Sequence, residues 1–199
     1  MRQHIINIFI CQKNNLEETC FALFQRVSAT LKADSSYLDR ASFLGIWLGI
    51  RWLCIHINVR PGEMINIKEK HINRRTGIII IEHPKEKNKT RIKTISLDSE
   101  DKELLNRTVL GMPDMYFFRH TSGKGGVQLE SQYGGKYFNK WWGKACKIIG
   151  LEGVPLYPGT RHTSATALGE YCSPEQVKDA TGHSSDAFNR YFLNKQARI

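Results

Sequence analysis

FLGIWLGIRWLCIHINV, residues 43–59, is the stretch that decides the fold class. It falls about one residue short of the ~18 apolar residues expected of a membrane span, and it carries Arg51 and His56 inside it. A buried core helix is the expected outcome, running from about Ser36 through His56. Its centre is apolar on nearly all sides, the pattern of a helix surrounded by protein. Asn58-Val59-Arg60-Pro61-Gly62-Glu63 breaks it. Pro61 suits the first turn of a new helix, where its missing amide hydrogen has no intrahelical partner to lose. A short helix to about Ile67 is expected.

Beyond this core the pattern changes period. Gly77 to Glu82 is rich in isoleucine, Lys85 to Thr90 is a charged turn, and Arg91 to Leu97 alternates polar and apolar. These are the signs of a β-hairpin. A helix is expected after Ser99, then a glycine-rich loop at residues 122–126, then an amphipathic helix from Tyr137 to Ile149 stopped by Gly150. Upstream, Leu16 to Leu31 carries a weak helical pattern, with a turn at residues 33–36. Downstream, Thr163 to Tyr171 reads as a short helix. Ser173-Pro174-Glu175-Gln176 has the form of a capping box opening a helix that ends at Gly182, and a last helix holds Phe188, Tyr191 and Phe192. The fold class is mainly α with a small antiparallel β-hairpin or sheet (α+β).

The 199 residues carry 29 Lys and Arg against 19 Asp and Glu, a net charge of +10. Such an excess favours a polyanionic partner, nucleic acid or an anionic membrane face. Five cysteines occur without any C-x-x-C pair or zinc spacing, so they read as reduced thiols and no metal is expected. The N-terminus has no secretory leader pattern.

Four residues near the C-terminus have the chemistry to attack a phosphodiester. Arg161 can hold non-bridging phosphate oxygens with its planar fork. It stands with His162 at a helix start, where free amides and the helix dipole favour anions. His183 follows Gly182 and can donate to a phosphate oxygen. Tyr191, eight residues on, is a potential covalent nucleophile. Arg60 stands beside the buried helix, where a guanidinium must be paired or bind a ligand. Glu63 is its candidate partner, and a purely structural Arg60–Glu63 ion pair is the competing reading.

The joint order of these segments resembles the catalytic domain of tyrosine recombinases, the phage-type integrases. Val59-Arg60-Pro61-Gly62-Glu63 matches that family's first arginine box. Thr160-Arg161-His162-Thr163 matches the second, Thr181-Gly182-His183-Ser184-Ser185 the histidine segment, and Tyr191 the nucleophile. The resemblance runs over roughly residues 38–195. It implies a site-specific DNA recombinase that cleaves and rejoins DNA through a 3′-phosphotyrosyl intermediate without cofactor. In it Arg60 and Arg161 hold the scissile phosphate, His183 adds a hydrogen bond, and a hairpin lysine protonates the leaving 5′-oxygen. Lys85 is the expected lysine, with Lys87 a close rival. Lys87, Lys89 and Arg91, the rest of the basic stretch to Lys93, and the helix from Lys136 to Lys147 are candidate DNA contacts. Where the family usually has a histidine three residues before the second arginine, this chain has Pro158. Tyr157 or His162 is the candidate to take that role.

The resemblance also implies double-stranded DNA as partner, a monomer that becomes a homotetramer on DNA, no membrane association, and a cytoplasmic, nucleoid-associated location in a prokaryote. Residues 36–199 form the expected catalytic domain. Residues 1–35 are the expected remnant of a linker or preceding DNA-binding domain, so the chain reads as a catalytic fragment. Two other readings use the same surface: a catalytically silent DNA-binding regulator, and DNA relaxation of the type IB topoisomerase kind.

Overall fold

A computed structural model describes residues 40–56, 58–83, 91–148, 150, 155–157 and 172–181. The expected helices at 16–31 and 163–171, the turn at 33–36, and the helix holding Tyr191 lie outside the described residues.

Helix α1 (Arg40–Ile55) forms the expected centre, and every residue from Ile46 to Cys54 is buried. No described helix is long and apolar enough to cross a membrane. Arg51 is tolerated inside because three carboxylates converge on it. Its Nε donates to Asp101 at 2.6 Å, and its Nη2 lies 3.0 Å from Glu100 and 3.5 Å from Asp98. These acids open helix α3 (Ser99–Asn106), where Asp98 caps the Asp101 amide. One cation thus offsets the acidic side chains at a helix N-terminus and ties that end to the core.

Helix α2 (Pro61–Met64) starts at its proline but ends three residues before the expected Ile67. A 3₁₀ turn, Glu69–His71, leads into β1 (Ile72–Asn73), β2 (Ile78–His83) and β3 (Arg91–Ser96), an antiparallel sheet in the order β1-β2-β3. The hairpin is therefore β2–β3, and β1 is an addition to the sequence reading. Gly77 makes the β1–β2 turn possible. It sits at φ +73°, a left-handed conformation open to glycine, and its amide donates to the Asn73 carbonyl at 2.8 Å.

The β2–β3 register pairs Ile79 with Ile95 and Ile81 with Lys93. Directly opposed residues share a face, so Ile79, Ile81 and Ile95 enter the core and Lys93 lies at its border. Ile78, Ile80 and Ile92 point the other way and are exposed.

Helix α4 (Tyr137–Ile148) crosses α1 at Gly49. A β-carbon at that glycine would stand 2.1 Å from Cε1 of Phe138, so the helices meet only because none is present. Around this crossing Trp52 stacks on Phe117, while Phe118 meets Trp52, Phe117 and Phe138 edge-on. Gly150 ends the α4 segment at φ +76°, as its sequence position predicts. Helix α5 (Pro174–Thr181) opens with the expected capping box. Gln176 Oε1 accepts the Ser173 amide at 2.9 Å, and Ser173 Oγ accepts the Gln176 amide at 3.3 Å.

Candidate nucleic-acid interface

Arg60 is the member of the sequence-derived phosphate site that the described residues contain together with its surroundings. It occupies the N-cap of α2 in extended conformation (φ −85°, ψ 151°), followed by Pro61, which fixes the turn. Its side chain is exposed, and among the described residues no group bonds the guanidinium.

Glu63 does not close onto that guanidinium, which goes against the competing reading of a structural Arg60–Glu63 ion pair. Its Oε2 instead accepts the Arg60 backbone amide at 2.9 Å, satisfying an orphan donor at the helix start. Among the described residues it pairs with Lys93, whose Nζ lies 2.7 Å from Oε2 and 3.0 Å from Oε1. The same ammonium donates to the Asn58 carbonyl at 2.7 Å. Lys93 belongs to the stretch read as a DNA contact, but the strand register turns it inward, so its charge is spent on a buried carboxylate. Sequence reasoning missed this partner. The available signal was phase: Leu97 and Ile95 set the inner face, and two residues back along a strand lies Lys93.

Tyr157 is half-buried beside the fully buried Leu156, in a short described stretch at residues 155–157. Arg91 opens β3 opposite His83. Lys85, Lys87, Lys89, Arg161, His162 and His183 lie outside the described residues, as does Tyr191.

The second candidate surface is α4. Lys136, directly before the helix, and Lys140, Lys144 and Lys147 are all exposed. Spacings of four, four and three residues bring them to one face, within about 80° at 100° per residue. Over 11 residues at 1.5 Å rise the stripe is ~16 Å long. Phe138, Trp142, Ala145 and Cys146 fill the opposite, buried face. Lys144 Nζ lies 4.4 Å over the Trp141 ring, a cation–π contact that steers the stem along the helix.

Burial pushes the His120 imidazole down; its ring packs 4.9 Å from those of both Tyr133 and Tyr137. On the surface, a hydrogen bond with Asp114 raises Lys70 and lowers its carboxylate partner.

The helix-rich architecture with a small antiparallel sheet is a recombinase-like fold. The solved structure of XerA recombinase is similar, with a TM-score of 0.50 over 82% of this chain. Sequence identity is 18%, so the likeness is one of fold, and the chain spans 65% of the length of that recombinase chain. No protein-family model and no curated protein matches the sequence.

Proposed function

We propose that the chain is the catalytic domain of a site-specific DNA recombinase, with residues 36–199 as that domain and 1–35 as a preceding segment. The observation that carries this reading is the Arg60 guanidinium, exposed and unbonded among the described residues, in a chain whose fold is recombinase-like. A guanidinium held at a core border without a carboxylate is prepared to receive an anion. The α4 lysine stripe supports a polyanionic duplex as the ligand, since several phosphates in series match several lysines in series.

In the proposed reaction Tyr191 Oη attacks the scissile phosphorus. The new P–O bond to tyrosine forms as the P–O5′ bond breaks, and Lys85 gives its proton to the leaving 5′-oxygen. Arg60, Arg161 and His183 stabilise the charge gathered on the non-bridging oxygens. Losing one such fixed donor costs about 100- to 1,000-fold in rate. Tyrosine, with an ordinary pKa near 10, is about 99.9% protonated at neutral pH, so the phenol proton must pass to a base. Tyr157 and His162 are the candidates, given Pro158. Rejoining reverses the step, because the phosphotyrosyl bond conserves the phosphodiester energy. The functional assembly is proposed to be a homotetramer on DNA formed from free monomers.

Covalent trapping tests this. A nicked suicide duplex bearing the target site should give a denaturant-stable protein–DNA adduct that Tyr191→Phe abolishes. An adduct surviving that substitution refutes the nucleophile. Tight binding to the site without any adduct would favour a silent DNA-binding module.

A further inference from the structure

We infer that Lys93 is a positioning residue: by holding the Glu63 carboxylate, it keeps the Arg60 guanidinium open to a phosphate. The inference rests on the reading of Arg60 as a phosphate-holding arginine.

Glu63 is three residues from Arg60, a spacing at which oppositely charged side chains on a helical turn meet. Its side chain is only 7% exposed, and a buried carboxylate needs a cation or hydrogen-bond donors. Left to local sequence, Arg60 is the nearest cation to supply them. An arginine closed on that carboxylate would be partly neutralised, and a phosphate would have to displace it.

Lys93 removes that competition from thirty residues away. An ammonium has three donors, and here three acceptors surround it: both Glu63 oxygens and the Asn58 carbonyl. The Arg60 backbone amide completes Glu63 Oε2. The carboxylate therefore fixes the position of the Arg60 backbone while its charge is met by Lys93, and the Arg60 side chain stays exposed. The same contact joins β3 to the turn before α2. It sets β3 against the arginine box.

Salt dependence of binding to a duplex of arbitrary sequence tests this without knowledge of a target site, because each lost phosphate contact makes the log–log slope shallower by about 0.9. Arg60→Ala should lose about one such contact. Lys93→Met should lose the same, because Glu63 then recruits Arg60. The Arg60→Ala/Lys93→Met double should fall no further than either single. Glu63→Gln/Lys93→Met should return the slope to that of the wild type, since a neutral amide does not capture Arg60, and Lys93→Arg should retain it. If Lys93→Met does not fold, the Glu63→Gln/Lys93→Met protein, which removes both charges of the Glu63–Lys93 pair, carries the comparison. A slope that stays shallow in it, or a loss of two contacts in the Arg60→Ala/Lys93→Met double, overturns the positioning role and makes Lys93 itself a contact. A wild-type slope for Lys93→Met also overturns it. A wild-type slope for Arg60→Ala would instead remove Arg60 from the phosphate site, and the inference with it.

Discussion

Replacing Gly49 with alanine should destabilise the protein, although alanine is the better helix former by about 0.8–1.0 kcal/mol. The added β-carbon would stand 2.1, 2.3 and 3.0 Å from Cε1, Cζ and Cδ1 of Phe138. Carbon atoms at rest lie ~3.5–4.0 Å apart, so the ring or its helix must retreat by about 1.5 Å. The ring has little room to do so, since Phe118 meets it edge-on at 5.2 Å and Tyr133 at 5.9 Å. Overpacking of this kind costs about 1–3 kcal/mol. Set against the propensity gain, the upper half of that range leaves a net loss of about 1–2 kcal/mol, or ~2–8 °C in Tm for a chain of this size. Urea denaturation of Gly49→Ala, Phe138→Leu and the double variant measures it. The smaller side chain should relieve the clash, giving a coupling of about 0.5–3 kcal/mol. A stabilised Gly49→Ala, or strict additivity in the cycle, would refute the close approach of α1 and α4.

Arg51→Met should cost about 3–5 kcal/mol in the same measurement, because it leaves the buried Asp101 carboxylate without its cation; a loss below about 1 kcal/mol would contradict that pairing. His120 gives a pH signature. Burial holds its folded pKa below the unfolded value of about 6.5, so the unfolded chain takes up the proton first. That stability is fully present above about pH 6.5 and is lost as pH falls through the folded value. The wild-type urea midpoint should therefore drop more between pH 7.5 and 5 than that of His120→Gln, and parallel curves would exclude the effect. Lys140→Ala and Lys144→Ala should each make the salt slope of duplex binding shallower by about 0.9 while leaving Tm within ~2 °C; unchanged slopes would move the interface off α4.

What the sequence made legible was local or periodic. The buried helix followed from its apolar length, and the α5 capping box from four consecutive residues whose bonds close on one another. The hairpin followed from its β-branched composition, but its facing did not. Ile92 and Ile95 are three apart and so fall on opposite faces; the strand had to choose, and Ile95 with Leu97 took the core. That choice exposed Ile92 and turned Lys93 toward the border of the core. The Arg60 box shows the same limit. Its cap by Glu63 is a three-residue matter, whereas the Lys93 bond spans thirty residues and appears only once the hairpin is docked. The Glu69–Arg119 pair, buried and fifty residues apart, was equally out of reach.

The four consecutive isoleucines of β2 have a consequence for handling the protein. Ile79 and Ile81 are covered by the core, but Ile78, Ile80 and Ile92 leave the other face of the sheet greasy. β1 pairs with only the first two residues of β2, and β3 is the last strand described. Exposed apolar β-branched patches on a sheet favour association with neighbouring molecules. Self-association during refolding or concentration should start here, and threonine or lysine at Ile80 and Ile92 would improve solubility without touching the packed face.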